Sequence, residues 1–300
     1  MATAQQAIFA TDNPHQHHLE LVLRAGIKPS ELAARLGVAR ASDRHAVNEH
    51  AAVVGIGLPV AQALLSEHVP DDLSDFSPIG DASTWSAPST QADLWIWLQG
   101  DSRDRVHDRA MAYACGLAEV ARVTLDMPVF QRAENRDLLG FVDGTANPKD
   151  DLRFDAALIA EGCKGEGGSI ALTQQWRHDV CGFAALAVAT QEAVIGRTKV
   201  DDVELLGDAM PADSHLSRTD LKVDGQAMKI YRRSAPYGNA TDHGLLFVAF
   251  ACEQRRIQLQ LESMFGMTPD GLHDRMIEFS AALTGSYWFV PSAELLEDLG

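Results

Sequence analysis

Two periodicities of apolar positions alternate along the first hundred or so residues. Short runs rich in β-branched, aromatic and leucine side chains predict strands at residues 19–24, 52–56 and 93–99. Helical spacing of the apolar positions predicts helices at residues 29–36, where a proline occupies the first turn, and at residues 104–121. This mixture of short strands and helices indicates an α+β protein.

The second part of the chain repeats the same arrangement. Residues 245–251 predict a strand and residues 255–265 a helix, about 150 residues after the strand and helix at 93–121. Either an internal duplication or a chance recurrence accounts for this repeat, and the pattern alone leaves both open. Residues 70–88 are rich in Pro, Asp and Ser and predict a loop, while the glycine-rich residues 162–169 predict a flexible connector.

Composition and charge narrow the classes of partner. The 300 residues carry a net charge of −17, which would repel nucleic acid and anionic lipid surfaces. No stretch of about 18 apolar residues and no basic leader occurs, so we expect a cytoplasmic protein that does not bind a membrane. The four cysteines show neither CxxC nor CxxCH spacing, which argues against a zinc site and against covalently attached haem.

The segment GFVDGTANP (140–148) presents one carboxylate on a tight turn, because Asp143 is followed directly by a glycine. An ordinary structural turn remains an alternative for this segment. A phosphotransferase would need a nucleophilic Asp two residues before Asp143, and Phe141 occupies that place.

Two further segments contain candidate functional residues. His215 lies in a polar stretch, residues 211–220, without amphipathic periodicity, so a solvated loop histidine and a metal ligand both remain open. In IYRRSAPYG (230–238), Arg232 and Arg233 point to opposite faces if the segment is extended, so that one could face inward while the other stays in water. A buried arginine must be paired, and a pair of surface arginines is the alternative.

Residues 55–60 suggest a further function, the binding of a dinucleotide through a glycine-rich fingerprint. Residues 55–60 (GIGLPV) follow a predicted strand, but Pro59 interrupts the pattern and Val60 stands where the third glycine is required. The interpretation is therefore weak.

Several segments together resemble the dye-decolorizing peroxidase family, and its bacterial cytoplasmic branch (class B) in particular. The matching segments all lie between residues 140 and 292, and residues before about 90 add little to the resemblance. They are GFVDGTANP (140–148), QWRHD (175–179), IGRTK (195–199), the isolated His215, IYRRSAPYG (230–238), LLFVAF (245–250) and TGSYWFVPS (284–292).

The resemblance implies specific roles on the two sides of a haem. Asp143 matches the distal acidic residue, Arg232 the distal arginine and His215 the proximal iron ligand. Ser234 matches a distal polar position, on the same face of an extended strand as Arg232.

The resemblance also assigns roles to two residues in the rest of the haem site. Arg197 would contact a haem propionate, and Glu278 would accept a hydrogen bond from the far ring nitrogen of His215. The resemblance also implies one non-covalent haem b per chain. The implied fold has two ferredoxin-like halves, residues 1–138 and 139–300, whose antiparallel sheets pack together around the haem like a dimeric α+β barrel.

The implied activity is a haem peroxidase that uses hydrogen peroxide to oxidise dyes, phenols and other bulky reductants through a ferryl intermediate. Asp143 would move the peroxide proton and Arg232 would stabilise the departing hydroxide. Because a carboxylate stays ionised in mild acid, where a distal histidine would be protonated, we expect an acidic optimum. Family relatives commonly associate, so a homo-oligomer is expected, free in the cytosol since the chain ends soon after residue 292. A haem carrier with incidental turnover is the alternative.

Surface aromatic residues would pass electrons from bulky reductants, although most of the candidates are expected to belong to the core. The candidates are the tyrosines together with Trp85, Trp95, Trp97, Trp176 and Trp288.

Overall fold

The computed structural model describes residues 2–43 and 52–299. The strands of these residues are β1 (His15–Leu23), β2 (Val53–Ile56), β3 (Ile79–Gly80), β4 (Ser86–Ala87), β5 (Leu94–Gly100), β6 (Ala121–Phe130), β7 (Ser169–His178), β8 (Lys222–Val223), β9 (Gln226–Ala227), β10 (Tyr231–Arg232), β11 (Ala235–Gly238), β12 (His243–Ala251), β13 (Ser280–Ala282) and β14 (Ser286–Val290). The α-helices are α1 (Pro29–Ser42), α2 (Leu58–Leu65), α3 (Arg103–Leu117), α4 (Leu152–Ala157), α5 (Val180–Ala184), α6 (Val188–Ile195), α7 (His215–Thr219), α8 (Gln254–Met264) and α9 (Ala293–Glu297).

The first half of the chain forms a four-stranded antiparallel sheet in the order β6-β1-β5-β2. Helix α1 follows β1 and helix α3 follows β5, and the two helices pack against each other. Numbered within this half, the strand order is 4-1-3-2 with two crossover helices, which is the ferredoxin-like arrangement.

The second half repeats this topology with β7, β11, β12 and β14. Read from the β14 edge, their order in the sheet is β14-β7-β12-β11, again 4-1-3-2 when numbered within the half. Helix α8 follows β12 just as α3 follows β5. The repeated topology favours internal duplication over chance recurrence and confirms the expected pair of ferredoxin-like halves.

The two sheets join at their edges into a closed barrel of eight strands. One seam pairs Tyr237 on β11 with Val129 on β6, and the other pairs Phe289 on β14 with Ile56 on β2. The proposed boundary between residues 138 and 139 falls in the connection from β6 to β7. That each half forms a separate domain stays a prediction.

The barrel interior is filled by side chains from both halves. Trp95 and Trp97 on β5 and Trp288 on β14 are fully buried, with the ring centroids of Trp95 and Trp288 6.2 Å apart. Glu20 on β1 spans the interior, since it accepts a hydrogen bond from the Thr173 hydroxyl on β7 at 2.6 Å. The sheets therefore pack on each other, but the expectation that they enclose a haem is wrong because indoles occupy the space.

Some predicted element bounds differ from the structure. The helix expected over 104–121 is α3, which ends at Leu117, and Ala121 already begins β6. Helix α1 continues six residues beyond the expected end at residue 36. The polar segment around residue 215, expected to be a loop, contains the short helix α7. No helix of the described residues combines the length and apolarity needed to cross a membrane.

Candidate active site

A cavity of roughly 630 Å³, including its mouth, lies between the outer face of the second sheet and helices α7 and α8. The lining is mostly apolar, with polar groups at a few places. The residues that line it are Asp143, Gln174, Trp176, His215, Thr219, Ile230, Arg232, Ser234, Leu245, Phe247, Ile257, Gln260, Leu261, Met264 and Met276.

His215 stands at the first position of α7, a helix capped by the Ser214 hydroxyl, which accepts a hydrogen bond from the backbone N–H of Ser217. The Nδ1 atom of His215 lies 2.6 Å from Oδ2 of Asp274, whose side chain is completely buried. Because Nδ1–H donates to this carboxylate, the lone pair of Nε2 is available to a metal.

Backbone hydrogen bonds hold Asp274 beside His215. The N–H of Arg275 donates to the carbonyl of Asp213 at 3.0 Å, which joins the two segments. The second carboxylate oxygen of Asp274 accepts a hydrogen bond from the N–H of Met276 at 2.8 Å and so caps the 3₁₀ turn Arg275–Glu278. The carboxylate is thereby fixed in position and kept out of solvent.

The expected role of Glu278 is wrong in this structure. Its Oε1 atom lies 3.0 Å from Nε2 of His273, and the side chain is partly exposed. Asp274, four residues earlier, occupies the place behind His215 that the resemblance implied for Glu278. The 3₁₀ turn directs these two carboxylates to different histidines.

Asp143, which also lines the cavity, sits on the tight turn that the sequence predicted. Gly144 has φ of +83°, a left-handed conformation that favours glycine. The N–H of Asp143 donates to the carbonyl of Asn135 at 2.8 Å, and the side-chain amide of Asn135 donates back to the carbonyl of Asp143 at 2.7 Å. These two bonds fix the backbone that presents the carboxylate.

Asn147 ties this turn to the arginine segment. Its side chain accepts from the N–H of Arg232 at 2.9 Å and donates to the carbonyl of Arg232 at 2.8 Å. Asp143, Arg232 and Ser234 all line the cavity that also contains His215. The Nε of Arg232 is buried and has no hydrogen-bond partner within the described residues. The guanidinium thus has a donor available to a bound molecule.

Arg232 and Arg233 do diverge, as expected for an extended segment, but neither extends freely into water. Arg233 donates to the carbonyl of Ile8 at 2.5 Å, and its guanidinium carbon lies 5.1 Å from the ring centroid of Trp97. Burial lowers the pKa of Arg233 from its usual range. The expectation of one solvated arginine is therefore wrong, because Arg233 anchors the segment to the first half of the chain.

Arg197 is absent from the residues that line the cavity. Its guanidinium lies 3.6 Å from a carboxylate oxygen of Asp202 and 3.3 Å from one of Glu204. To reach a propionate, Arg197 would have to leave both carboxylates. The structure therefore gives no support to the expected contact.

A second, more polar cavity adjoins the first and shares Asp143, Arg232 and Ser234 with it. Asp137 lines this neighbouring cavity, where burial and the nearby charge of Asp143 raise its pKa to about 6, against the opposing hydrogen bond from the N–H of Phe141.

Sequence reasoning missed Gln174 and Asp274. Gln174 is fully buried on β7 and lines the cavity, yet neither polar atom of its side chain has a hydrogen-bond partner in the described part of the chain. In the sequence, Gln174 alternates with Ile170, Leu172 and Trp176, and a glutamine at such an apolar position is a signal that could have identified it. Asp274 has no such local signal, because only the tertiary structure brings it to His215.

Comparisons with known proteins agree with the geometry. Residues 134–295 match the family model for the C-terminal part of Dyp-type peroxidases. A dye-decolorizing peroxidase of Mycolicibacterium paratuberculosis is 34% identical over 251 residues, which cover 82% of this chain and 71% of the relative. A dye-decolorizing peroxidase of Rhodococcus erythropolis is also 34% identical, over 83% of this chain and 74% of the relative.

Solved structures are similar over nearly the whole chain. A Dyp-type peroxidase protein from Shewanella oneidensis superposes with a TM-score of 0.92 at 29% identity, covering 99% of both chains. A variant of DypB from Rhodococcus jostii RHA1, solved in complex with haem, has a TM-score of 0.90 at 31% identity, covering all of both chains. The chain therefore belongs to the Dyp-type peroxidase family.

Proposed function

We propose that the protein is a haem peroxidase that uses hydrogen peroxide to oxidise dyes, phenols and other bulky aromatic reductants. The observation that carries the proposal is that one apolar cavity is lined both by His215, which is backed by a buried carboxylate, and by Asp143 with Arg232. A haem-bound relative with the same fold supports this proposal.

The residues present fit a haem. Leu245, Phe247 and Leu261 give the cavity apolar walls, as a porphyrin requires. Within the described residues, no group of three or more His, Cys, Asp or Glu side chains could hold a bare metal ion. One histidine would nevertheless be sufficient for haem iron, since the porphyrin itself supplies four nitrogen ligands. His215 would hold the iron, and the bound haem would supply the redox chemistry of peroxide reduction.

The protein groups on the distal side move protons and balance charge. Asp143 takes a proton from the inner oxygen of hydrogen peroxide and returns it to the outer oxygen, which leaves as water. Arg232 cannot act as a base, because a guanidinium has no acceptor and does not deprotonate in proteins. Its positive charge and its free Nε–H instead stabilise negative charge on the outer oxygen. Ser234 adds a hydroxyl on the same side.

The proximal pair, His215 with Asp274, would determine how strongly the histidine donates electrons to the iron. A hydrogen bond from Nδ1–H to a buried, charged carboxylate makes the imidazole of His215 a stronger electron donor. It also fixes the tautomer and orientation of the ring. Membership of the class B branch, a cytoplasmic location and assembly into a dimer or larger oligomer stay predictions.

The decisive measurement is the absorption spectrum of purified protein before and after one equivalent of peroxide. We expect a Soret band that changes on addition of peroxide, and a loss of bound haem in His215→Ala. Retention of the pigment and its turnover in His215→Ala would contradict the proposal. A haem carrier is the competing function, and it needs no base or cation opposite the iron. Peroxide-dependent dye oxidation should therefore fall sharply in Arg232→Ala, whereas a carrier would show no such dependence.

The pH profile tests the role of Asp143. We expect an acidic optimum for dye oxidation, in the pH range where a histidine base would be protonated. Asp143→Asn, which removes the base and keeps the shape, should lower the rate and change the profile. Activity that is flat from about pH 4 to 8, or an unchanged optimum in the variant, would argue against this role.

A further inference from the structure

Strand β10, which contains Arg232, has a free edge. It continues the line of β11 along one side of β12. The barrel closes from β11 onto β6, but β10 pairs with no strand of the described residues other than β12. The backbone N–H and C=O groups on its second edge therefore need partners that a sheet does not provide.

The side chain of Asn147 takes the place of a neighbouring strand at this edge. Its Oδ1 atom accepts a hydrogen bond from the N–H of Arg232 at 2.9 Å, and its Nδ2 atom donates to the carbonyl of Arg232 at 2.8 Å. A residue of a paired antiparallel strand makes the same two bonds. Only an amide side chain can do so, because it carries a donor and an acceptor side by side without a charge.

Asn147 also belongs to the turn that carries Asp143. Its backbone N–H donates to the carbonyl of Gly144 at 2.9 Å, directly after Asp143 in the chain. A Cβ at Gly144 would have Nδ2 of Asn147 as its nearest neighbour, at 3.5 Å. The amide that holds Arg232 is therefore packed against the backbone that presents the Asp143 carboxylate.

The side chain of Arg232 depends on its backbone for its position. Its buried Nε has no hydrogen-bond partner within the part of the chain that the structure describes. The neighbouring Arg233 differs, because its guanidinium is held by the carbonyl of Ile8 and lies over the ring of Trp97. Whatever fixes the backbone of Arg232 therefore has a large influence on where its guanidinium lies.

We propose that Asn147 is a positioning residue for the reaction with peroxide, whose amide joins the Asp143 turn and the Arg232 strand into one unit. This inference rests on the proposed function, in which Asp143 moves a proton and Arg232 stabilises negative charge. Both groups must act on the same peroxide molecule, and a displacement of about 1 Å can lower a rate by about a hundred-fold. Asn147 acts through the backbone of Arg232 and takes no part in the proton transfer.

Fluoride binding to the haem-loaded protein tests the position of the guanidinium without turnover. Fluoride is a suitable probe because it binds ferric haem and accepts hydrogen bonds from donors beside the iron. We expect its Kd, from a titration followed in the Soret region, to rise about ten-fold in Asn147→Ala, as the loss of one hydrogen bond to a charged group implies. The rate of reaction with peroxide should fall by about ten-fold or more in the same variant.

Asn239→Ala is the matched control for a loss of backbone hydrogen bonds. On the exposed turn between β11 and β12, the side-chain oxygen of Asn239 accepts from the N–H groups of Thr241 and Asp242, both at 2.9 Å. This variant therefore also loses two bonds to the backbone, but at a distance from Arg232 along the sheet. We expect the fluoride Kd and the peroxide rate to change by less than about two-fold.

A double-variant cycle separates positioning from a general loss of structure. When Arg232 is already alanine, Asn147→Ala should change the fluoride Kd by less than about two-fold, because no guanidinium remains to be displaced. If Asn147→Ala does not fold, Asn147→Asp keeps the shape but sets an oxygen against the carbonyl of Arg232, so it should also slow the reaction with peroxide.

Two results would overturn the inference. One is a fluoride Kd and a peroxide rate in the Asn147 variants equal to those of the wild type. The other is a rise in Kd that persists in full when Arg232 is alanine. If the wild type itself bound haem and fluoride but did not react with peroxide, the proposed function would fail instead.

Discussion

Replacing Asp274 by Asn tests the proximal pair with little change of shape. Asn retains an oxygen that can accept from the N–H of Met276, so the cap of the following 3₁₀ turn is preserved. The substitution removes the negative charge that His215 contacts at 2.6 Å in a fully buried position. Its effect should therefore report the loss of the charge and of the acceptor for Nδ1–H of His215, and not a loss of folding.

The structure sets the expected size of the effect. A hydrogen bond to a charged group contributes about 1.5–3 kcal/mol, which corresponds to roughly a ten- to hundred-fold change in rate or affinity. Solvent screens little of this, because the Asp274 side chain is completely buried. We expect the rate of reaction with peroxide, followed by stopped-flow in the Soret region, to fall by about that factor. The midpoint potential of the bound haem should rise, since a weaker donor stabilises ferric iron less.

Glu278→Gln is the matched control, because it alters the carboxylate that the sequence favoured for this role. Glu278 contacts His273 and is partly exposed, so we expect a change of less than about two-fold in the peroxide reaction. A loss in Glu278→Gln as large as that in Asp274→Asn would refute the assignment. An unchanged haem midpoint potential and an unchanged rate of reaction with peroxide in Asp274→Asn would refute it as well.

Two further predictions concern the barrel interior. Burial raises the pKa of Glu20 to about 7, so the folded state keeps a proton that the unfolded chain releases near pH 4.5. Stability should therefore fall by about 3 kcal/mol as the pH rises from about 4.5 to above 7, and Glu20→Gln should remove that loss. Urea unfolding of wild type and Glu20→Gln across this pH range measures the change in stability. Glu161→Gln, at an exposed position, is the control. Parallel stability profiles of wild type and Glu20→Gln would contradict the prediction. A Cβ at Gly55 would lie 2.8 Å from Trp95 and 2.9 Å from Trp288. Gly55→Ala should therefore lower the free energy of unfolding by about 1–3 kcal/mol. An unchanged urea midpoint would contradict this and show that the neighbouring indoles can move to accommodate the methyl group.

The sequence predicted the strands better than the site. The strands expected at 52–56, 93–99 and 245–251 lie within two residues of β2, β5 and β12, because buried strands consist of uninterrupted apolar runs. The helix expected over 104–121 extended too far because residues compatible with a helix, Ala118 to Ala121, continue past Leu117 into the start of β6. Composition alone does not show that the chain changes direction there.

Residues of the site were predictable where a short segment carries them. Asp143 and Arg232 lie in distinctive segments, and each lines the cavity. The partner of His215 was not predictable. The resemblance implied Glu278, and only the tertiary structure, in which a 3₁₀ turn gives Asp274 and Glu278 different directions, shows that Asp274 contacts His215. Arg233 likewise depended on a contact with the distant Trp97.

The two halves have one topology but cover their outer sheet faces differently, and this difference explains where the cavity lies. In the first half, the central strands β1 and β5 present apolar side chains that are at most 1% exposed. These are Leu19, Leu21, Ile96 and Leu98, and they belong to a core that continues through α3.

In the second half, the equivalent central strands β7 and β12 present Gln174, Trp176, Leu245 and Phe247 towards α7 and α8. A buried amide without a hydrogen-bond partner costs about 1–3 kcal/mol, which a face selected only for packing would avoid by using an apolar residue. Gln174 therefore indicates that this face is built around a bound group, so that one half of the duplicated fold supplies packing and the other supplies the site.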